Sequence, residues 1–528
     1  MSLTEAEAAA VSPYFTNTDQ PVFALVNLPE TVKGALFARY SRSPKSLRRL
    51  FLDEFYEGVG ATGAPAQGVG TDRADRLYQR VFNDYGDDSV AQLGGVHLAV
   101  EDASNILTKV LERGRLMAYL EQSTRYIPYT DRRGDSWRYL VPAELDGHPL
   151  RAKFIETLNA TFEIYAKWIP PMQKWFEARY PKTPSDSDGV YRAAIRAKAL
   201  DTLRGMLPAA TQSNVGIYGT GQAYEALLLR MRAHPLAEAR AVADSILTEL
   251  RKVIPAFLTR VDQPDRGGRW SSYLADTKAR AGDIAARLTS GVAPAPVDEV
   301  TLVDFDPDGE AKVVAAALYP SSSLPDGELL SLARRMNQTE RAEVLRAYVG
   351  DRSNRRHRPG RAFERTSYRF DILTDYGAFR DLQRHRMLTL DWQALTARHG
   401  YFQPDAVIEA GAEADWQQVM EQSAELFDAM AAANLTDAAQ YAVSMAYRVR
   451  FVMDMNAREA MHVIELRTAP QGHPAYRRVC QQMHRLIESV AGHHALAASM
   501  KFVDHSQVEL ERLQEERRLE QRRMRAGR

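Results

Sequence analysis

Residues 113–126 read RGRLMAYLEQSTRY, which sets Arg113, Arg115, Glu121, Ser123, Arg125 and Tyr126 close together in one short segment. Arginine presents a planar fork of donors that suits phosphate or carboxylate, and a nearby glutamate accepts from sugar hydroxyls or ring N–H groups. With Leu116, Met117 and Leu120 interleaved, the segment reads as a partly buried anion site. A solvated helix face with intrahelical ion pairs is the competing reading. A second arginine-rich stretch, RHRMLTLDWQALTARHGY, follows at 384–401. Laid over the first, it places Arg384 on Arg113 and Arg386 on Arg115.

Other candidates are weaker. The glycine-rich run GVGATGAPAQGVG at 58–70 has no Lys-Ser/Thr after it and no strand before it, so it is a poor phosphate loop. Cys480 is the one cysteine; on a helix it reads as a small buried hydrophobe, and no intrachain disulfide can form. Adjacent His493 and His494 cannot share a helical face. Glu459 and His462 are three apart, which excludes an HExxH zinc helix, and no metal site is expected. The basic loop DRSNRRHRPGR (351–361) is an exposed turn or an anion-binding loop.

The elements that must position these groups follow from periodicity. Helical spacing runs from Val32 to Tyr56 and resumes over 72–93. HLAVED alternates Leu98 and Val100 against His97, Ala99 and Glu101, a short strand that leads through a helix into the first arginine stretch. Long helices fill 150–262, with breaks expected at Pro170-Pro171, around 181–189, and at GIYGTGQ, a turn or helix entry. VTLVDFD begins anew as an edge strand closed by Pro307-Asp308-Gly309. SYRFDIL alternates Tyr368, Phe370 and Ile372 against Arg369 and Asp371, a strand again leading through a helix into the second arginine stretch. Residues 405–504 read as long helices, and 506–528 as a solvated charged helix or tail. The order strand, helix, arginine stretch, long helices thus occurs twice, as expected of duplicated halves packed about a pseudo-twofold axis.

Composition bounds the rest. The 528 residues suffice for more than one core. Lys+Arg and Asp+Glu are both 68, so the net charge is zero, which argues against a dedicated nucleic-acid binder. No basic-then-apolar leader and no apolar run of membrane-spanning length occurs, and a cytoplasmic protein is the expectation.

The arginine stretches resemble the flavin-dependent thymidylate synthases (the ThyX family), whose pattern is R-H-R-x-x-S-x-N-E-x-S-x-R-Y. The first copy matches at Arg113, Arg115, Glu121, Ser123, Arg125 and Tyr126, and departs at Gly114, Ala118 and Leu120. The second matches Arg384, His385 and Arg386, then has Trp392, Ala394 and Thr396 where Glu, Ser and Arg belong. Of the family's G-H-x-S-x-x-E-H frame, the first copy keeps Gly86 and Ser89, with Asp87 and Gln92 where His and Glu belong. The second keeps Glu364, with Pro359 where the histidine belongs and His357 two residues earlier. Of R-x-x-L-P, the first copy keeps Arg204, Leu207 and Pro208; the second has Gln440 for the arginine. Only the second keeps the later Asn456, Arg458, His462, Leu466 and Arg467. The matches span roughly 14–265 and 299–500.

The resemblance implies an α+β fold of two tandem domains, each a small mostly antiparallel sheet flanked by long helices: repeat 1 at 1–265, a linker at 266–298, repeat 2 at 299–505 and a charged tail at 506–528. It implies reductive methylation of deoxyuridylate (dUMP) with FAD as cofactor and NADPH and methylenetetrahydrofolate as co-substrates. Substrate contacts fall to Glu121, Ser123, Arg125, Arg204, Arg384 and Arg467, with Ser123, Arg125 and Arg467 at the reacting centre. Flavin contacts fall to Glu364, Arg384, His385, Arg386, Asn456, Arg458 and His462. Because the losses in the two copies are complementary, one composite site between repeats is expected, in a homodimer that mimics the family's tetramer. The alternative is a non-catalytic or substrate-shifted relative that binds flavin or nucleotide.

Overall fold

The computed structural model describes residues 3–40, 43–56, 92–125, 127–134, 136–184, 186–293, 295–508, 510 and 513–526. The run at 58–70, most of the helical pattern at 72–93, and Gly86, Asp87, Ser89 and Tyr126 lie outside them. The strands are β1 (Gly95–Ser104), β2 (Met117–Glu121), β3 (Arg132–Arg133), β4 (Ser136–Trp137), β5 (Gln212–Thr220), β6 (Val300–Phe305), β7 (Ser367–Asp375), β8 (Thr389–Trp392) and β9 (Arg448–Asn456). With helices between and around them, the fold class is α+β, as expected.

The chain divides into two compact units. The first comprises residues 1–101, 114–121 and 214–292. It carries the three-stranded sheet β1-β5-β2, in which β2 runs antiparallel to β5 from Met117↔Gly219 to Glu121↔Val215. The middle of the opening stretch is therefore a strand and not a helix face: Met117 and Glu121 point inward while Leu120 is exposed. GIYGTGQ is also not a turn. It is the second half of β5, and Thr220 then caps the next helix, accepting from the Ala223 N–H at 3.3 Å. The stretch 266–298 contains the helix Arg269–Leu288.

The second unit comprises residues 102–113, 122–213 and 293–528. Its sheet, β6-β7-β9-β8, is antiparallel throughout, with β6 at the edge. Tyr368, Phe370 and Ile372 are fully buried, as their alternation predicts. Strand β9 lies in a region read as helical. Val449, Phe451, Met453 and Met455 alternate inward there, a period-2 signal hidden among helices on either side. The helix Leu150–Arg179 passes straight through Pro170 and Pro171. The lost N–H donors cost stability, but Tyr165, Ile169, Met172 and Phe176 are buried around the prolines and hold the helix together.

Five helices position the site: α1 (Asn105–Leu111), α2 (Asp188–Leu203), α3 (Tyr376–Leu382), α4 (Ala457–Arg467) and α5 (Pro474–Ser489). Helix α3 leaves the end of β7 and α4 leaves the end of β9. Asp375 caps the first, accepting from Ala378 N–H at 2.9 Å, and Asn456 caps the second, accepting from Glu459 N–H at 2.9 Å. Since β7 and β9 are antiparallel, with Ser367 opposite Asn456 and Asp375 opposite Arg448, the helices start from opposite ends and their side chains meet between them.

The turn after α2 carries the R-x-x-L-P segment and pairs with the corresponding turn of the second copy. Pro208 bridges Ser444, Ala209 N–H donates to Val443 O (2.8 Å), Met445 N–H to Leu207 O (2.9 Å) and Ala446 N–H to Gly205 O (2.9 Å). Arg204 and Gln440 stand four residues before Pro208 and Ser444, so equivalent positions of the two copies face each other antiparallel. That is a local pseudo-twofold relation, and it brings Arg204 next to second-copy residues.

Candidate functional site

Arg125 follows Ser123 in a turn in which the Ser123 hydroxyl accepts from the Arg125 backbone N–H at 3.3 Å. The guanidinium reaches α2: Nε lies 2.9 and 2.7 Å from the two carboxylate oxygens of Asp201, and Nη2 lies 2.6 Å from Oδ2. Both side chains are buried, so this is a charge-assisted pair in a low-dielectric setting. One turn along, Arg204 Nη1 lies 3.8 Å from Asp201 and 3.7 Å from Asp381 of α3. Arg467, at the end of α4, places Nη1 3.9 Å from Asp381. Arg125 and Arg204 come from the first copy, Asp381 and Arg467 from the second.

The electrostatics follow from this geometry. Burial pushes the Asp381 carboxyl up, but Arg384, Arg204, Arg467 and Arg125 outweigh it and hold the group well below the usual carboxylate range. Burial likewise opposes ionisation of Asp201, and Arg125 chiefly reverses it. His473, half-buried as the cap of α5, is brought down to about 3 by burial and by Arg204, and is neutral at pH 7. Asp375 is pushed up by burial, against the pull of Arg204. Four arginines thus face two ionised aspartates, an excess that suits a dianion. Arg204 Nη2 is buried with no hydrogen-bond partner among the described residues, a donor left for a ligand or a water. Behind Arg204 a cavity of about 20 Å³, lined by Asp201, Asp375, Trp416 and His473, has room for a water. Arg125 also borders a cavity of about 730 Å³ lined by Gln173, Ile169, Ile195, Arg192 and Arg196, within the size range of small-molecule sites.

A second cluster adjoins the first. His385 is buried; its Nε2 accepts from Arg467 Nε at 2.9 Å, and its Nδ1 lies 3.7 Å from Glu459 Oε1. The His462 ring stands edge-on to His385 at 5.4 Å, and its Nδ1 accepts from Arg358 Nη2 at 2.9 Å. One ligand atom each from His385, Glu459 and His462 lies within 4.8 Å of the others, a spacing compatible with a metal ion that the sequence did not suggest. The arginines argue against that use. Each ring nitrogen facing an arginine must be a lone-pair acceptor, and two guanidinium cations stand beside the cluster. Burial brings His462 down to about 4 and His385 well below its usual value, so both rings are neutral.

The remaining expected residues are spread around this centre. Glu364 accepts from Arg458 Nη1 at 3.3 Å and Arg361 Nε at 3.0 Å. Asn456 spends its side-chain oxygen as the α4 cap. Arg384 and Arg386 are exposed. Glu121 is buried at the end of β2 in the first unit. Arg113 pairs with Asp391 at 2.6 Å and stacks over Trp392. His493 donates or accepts at both nitrogens, to Tyr368 and the Asp306 carbonyl, and serves structure. Sequence reasoning missed Asp201, Asp381 and His473, and weighed Glu459 only in excluding a zinc helix. Asp201, in the last turn of α2, and Asp381, in the last turn of α3, each stand three residues before an arginine just past the helix end, a spacing that was present in the chain.

The arginines and carboxylates gathered here come from both copies of one sequence pattern. The family model described as "Thymidylate synthase complementing protein" matches residues 37–256 and 301–492, and the chain belongs to that family as a tandem duplication. It is 37% identical over 514 residues to a "UPF0159 protein" of Chlamydia muridarum, covering 96% of this chain and 97% of the relative. It is 28% identical over 174 residues to a "Flavin-dependent thymidylate synthase" of Clostridium tetani, covering 32% of this chain and 64% of that one. A solved structure of a UMP/dUMP methylase, PolB from Streptomyces cacaoi, bound with 5-Br dUMP, matches at 19% identity and a TM-score of 0.30, covering 38% of this chain and 94% of PolB. No helix among the described residues is long and apolar enough to cross a membrane.

Proposed function

We propose that this chain is a flavin-dependent enzyme that methylates deoxyuridylate to thymidylate, using methylenetetrahydrofolate and NADPH, at a site composed from both repeats. The observation that carries the reading is the convergence of Arg125 and Arg204 with Arg467 around Asp201 and Asp381. Such a set neutralises a nucleotide phosphate and leaves donors for carbonyl oxygens as charge develops there. Ser123 is a hydroxyl beside this set, not an activated nucleophile.

The donor chemistry beside it fits FAD. Arg358, an exposed cation, donates to the neutral His462 beside His385, and the exposed Arg386 follows His385 in the chain, a set suited to a diphosphate and to the polar edge of a ring. Arg384, Arg386, Arg458 and His462 would hold the cofactor, with Glu364 anchoring Arg458 and Asn456 capping the helix that presents it. Flavin when bound supplies the hydride chemistry. The protein's own residues neutralise the nucleotide, orient it and keep a buried proton inventory fixed. A homodimer that mimics the family's tetramer completes the reading.

The test is spectral and kinetic. Purified protein is expected to show flavin absorbance or to bind FAD by calorimetry, and to oxidise NADPH only when deoxyuridylate is present. Arg384→Ala is expected to weaken FAD binding roughly 10-fold or more, while Ser123→Ala leaves the spectrum intact and lowers turnover. Absence of both flavin binding and nucleotide-dependent oxidation would replace the enzyme reading with that of a nucleotide-binding relative.

A further inference from the structure

Glu459 has no place in the motifs that led to this site, yet its position is specific. It is buried, its carboxylate makes no hydrogen bond among the described residues, and Oε1 lies 3.7 Å from His385 Nδ1. Arg467 Nε donates to the other nitrogen of that ring at 2.9 Å. Arginine has donors only, so His385 Nε2 must carry the lone pair and the proton of the neutral ring must sit on Nδ1. That nitrogen lies 3.7 Å from Glu459 Oε1, longer than a hydrogen bond but close enough for the carboxylate to favour a proton there. The same logic places a lone pair on His462 Nδ1, which receives Arg358 Nη2 at 2.9 Å.

We propose that Glu459 is a positioning residue: its carboxylate holds His385 in the Nδ1–H tautomer, so that the Nε2 lone pair seats the Arg467 guanidinium at the nucleotide centre. The relay rests on the functional reading only in its last link. The tautomer of His385 and the seat of Arg467 are properties of the protein alone. Facing the relay are the charges Arg358 from the basic loop, Arg458 from α4 and Asp381 from α3, with the neutral His462 of α4 beside them. A carboxylate in this place does what the carboxylate behind a metal-ligating or catalytic histidine does: it fixes which nitrogen is the donor.

The experiment is long-range proton–nitrogen correlation on full-length protein labelled in histidine, with His385→Gln to assign the signal. At pH 7 His385 is expected as a neutral Nδ1–H ring in the wild type. Glu459→Leu is expected to mix the tautomers, Glu459→Gln to restore the Nδ1–H form in part. In parallel, Glu459→Leu is expected to weaken deoxyuridylate binding about 10-fold while circular dichroism and FAD binding are unchanged. A wild-type ring protonated on Nε2, or on both nitrogens, overturns the proposal, as does a zinc titration that shifts both His385 and His462 as metal ligands. If the tautomer is as stated but the wild type binds no deoxyuridylate, the functional reading falls while the positioning of Arg467 stands.

Discussion

Arg125→Ala is expected to abolish deoxyuridylate binding and to destabilise the protein by about 3–5 kcal/mol, the usual cost of leaving one partner of a buried pair unpaired. The reason is Asp201. Its carboxylate is enclosed, and Arg125 supplies three of its close contacts, at 2.9, 2.7 and 2.6 Å. Without Arg125 the charge must be neutralised by a proton or exposed by local rearrangement. Replacing both partners, as Arg125→Met with Asp201→Leu, is expected to return most of the stability and none of the binding, because the desolvation cost disappears with the charge. Urea denaturation and calorimetry with deoxyuridylate separate the two effects. A loss below about 1 kcal/mol for Arg125→Ala would mean that the pair is solvated. The pH dependence has a fixed sign. Asp201 has a folded-state pKa below the ordinary aspartate value of about 3.9, so its contribution is fully present above that value and is lost as the pH falls through the folded value. The wild type is therefore expected to lose stability steeply below about pH 4, and the double variant to lose less there.

Glu465→Ala is the second large effect, again about 3–5 kcal/mol, and it reaches the site indirectly. Arg352 binds Glu465 through two parallel contacts of 2.7 and 2.6 Å, with both side chains about 1% exposed. Arg352 also donates to Ser499 O at 3.1 Å and lies over the Phe502 ring. This pair pins the basic loop 351–361 to α4, the helix that carries Arg458, His462 and Arg467. Cutting it is expected to release Arg358 from His462 as well as to lower the unfolding midpoint. The check is denaturation together with hydrogen exchange of residues 351–361. Fast exchange in the variant and slow exchange in the wild type is the expected pair of results; equal exchange would mean that the loop is held elsewhere.

Both predictions turn on carboxylates that the linear pattern did not advertise. Arg125 was legible within an arginine-rich stretch, and Arg204 and Arg467 only through the resemblance to the family's motifs. Asp201 and Asp381 looked like ordinary helical acids three residues before an arginine, which is also how surface ion pairs look. Only burial separates the two cases, and burial is decided by which helices pack. The same holds for His385, whose tautomer depends on an arginine 82 residues away in sequence. The basic loop 351–361 was readable as charged, but whether its first arginine faced water or a buried glutamate was not.

The secondary structure divides in the same way. Strands β1 and β7 were visible from their alternation of faces, and β6 from an apolar run closed by Pro307-Asp308-Gly309, with Val303 left exposed at the sheet edge. Strand β9 has the same alternation, yet it is enclosed by helical sequence and short enough to be absorbed into it. Strand β2 is masked by charge, since its inward residues are Met117 and Glu121 and its outward residues include Leu120. The two prolines in Leu150–Arg179 are a local rule overruled by packing: four buried side chains around them hold a helix that propensity alone would end.

What the amino-acid sequence determined by itself was the duplication, the residue types at the arginine stretches and their division between copies. These follow from order and spacing, which need no third dimension. The tertiary structure decided how the copies meet. Equivalent turns after Arg204 and Gln440 pair antiparallel across Pro208 and Ser444. That pairing puts first-copy arginines beside second-copy helices and gives each buried cation its carboxylate. Charges so arranged cost too much to leave unmatched in a low-dielectric interior. Their partners were therefore fixed by packing rather than by proximity along the chain.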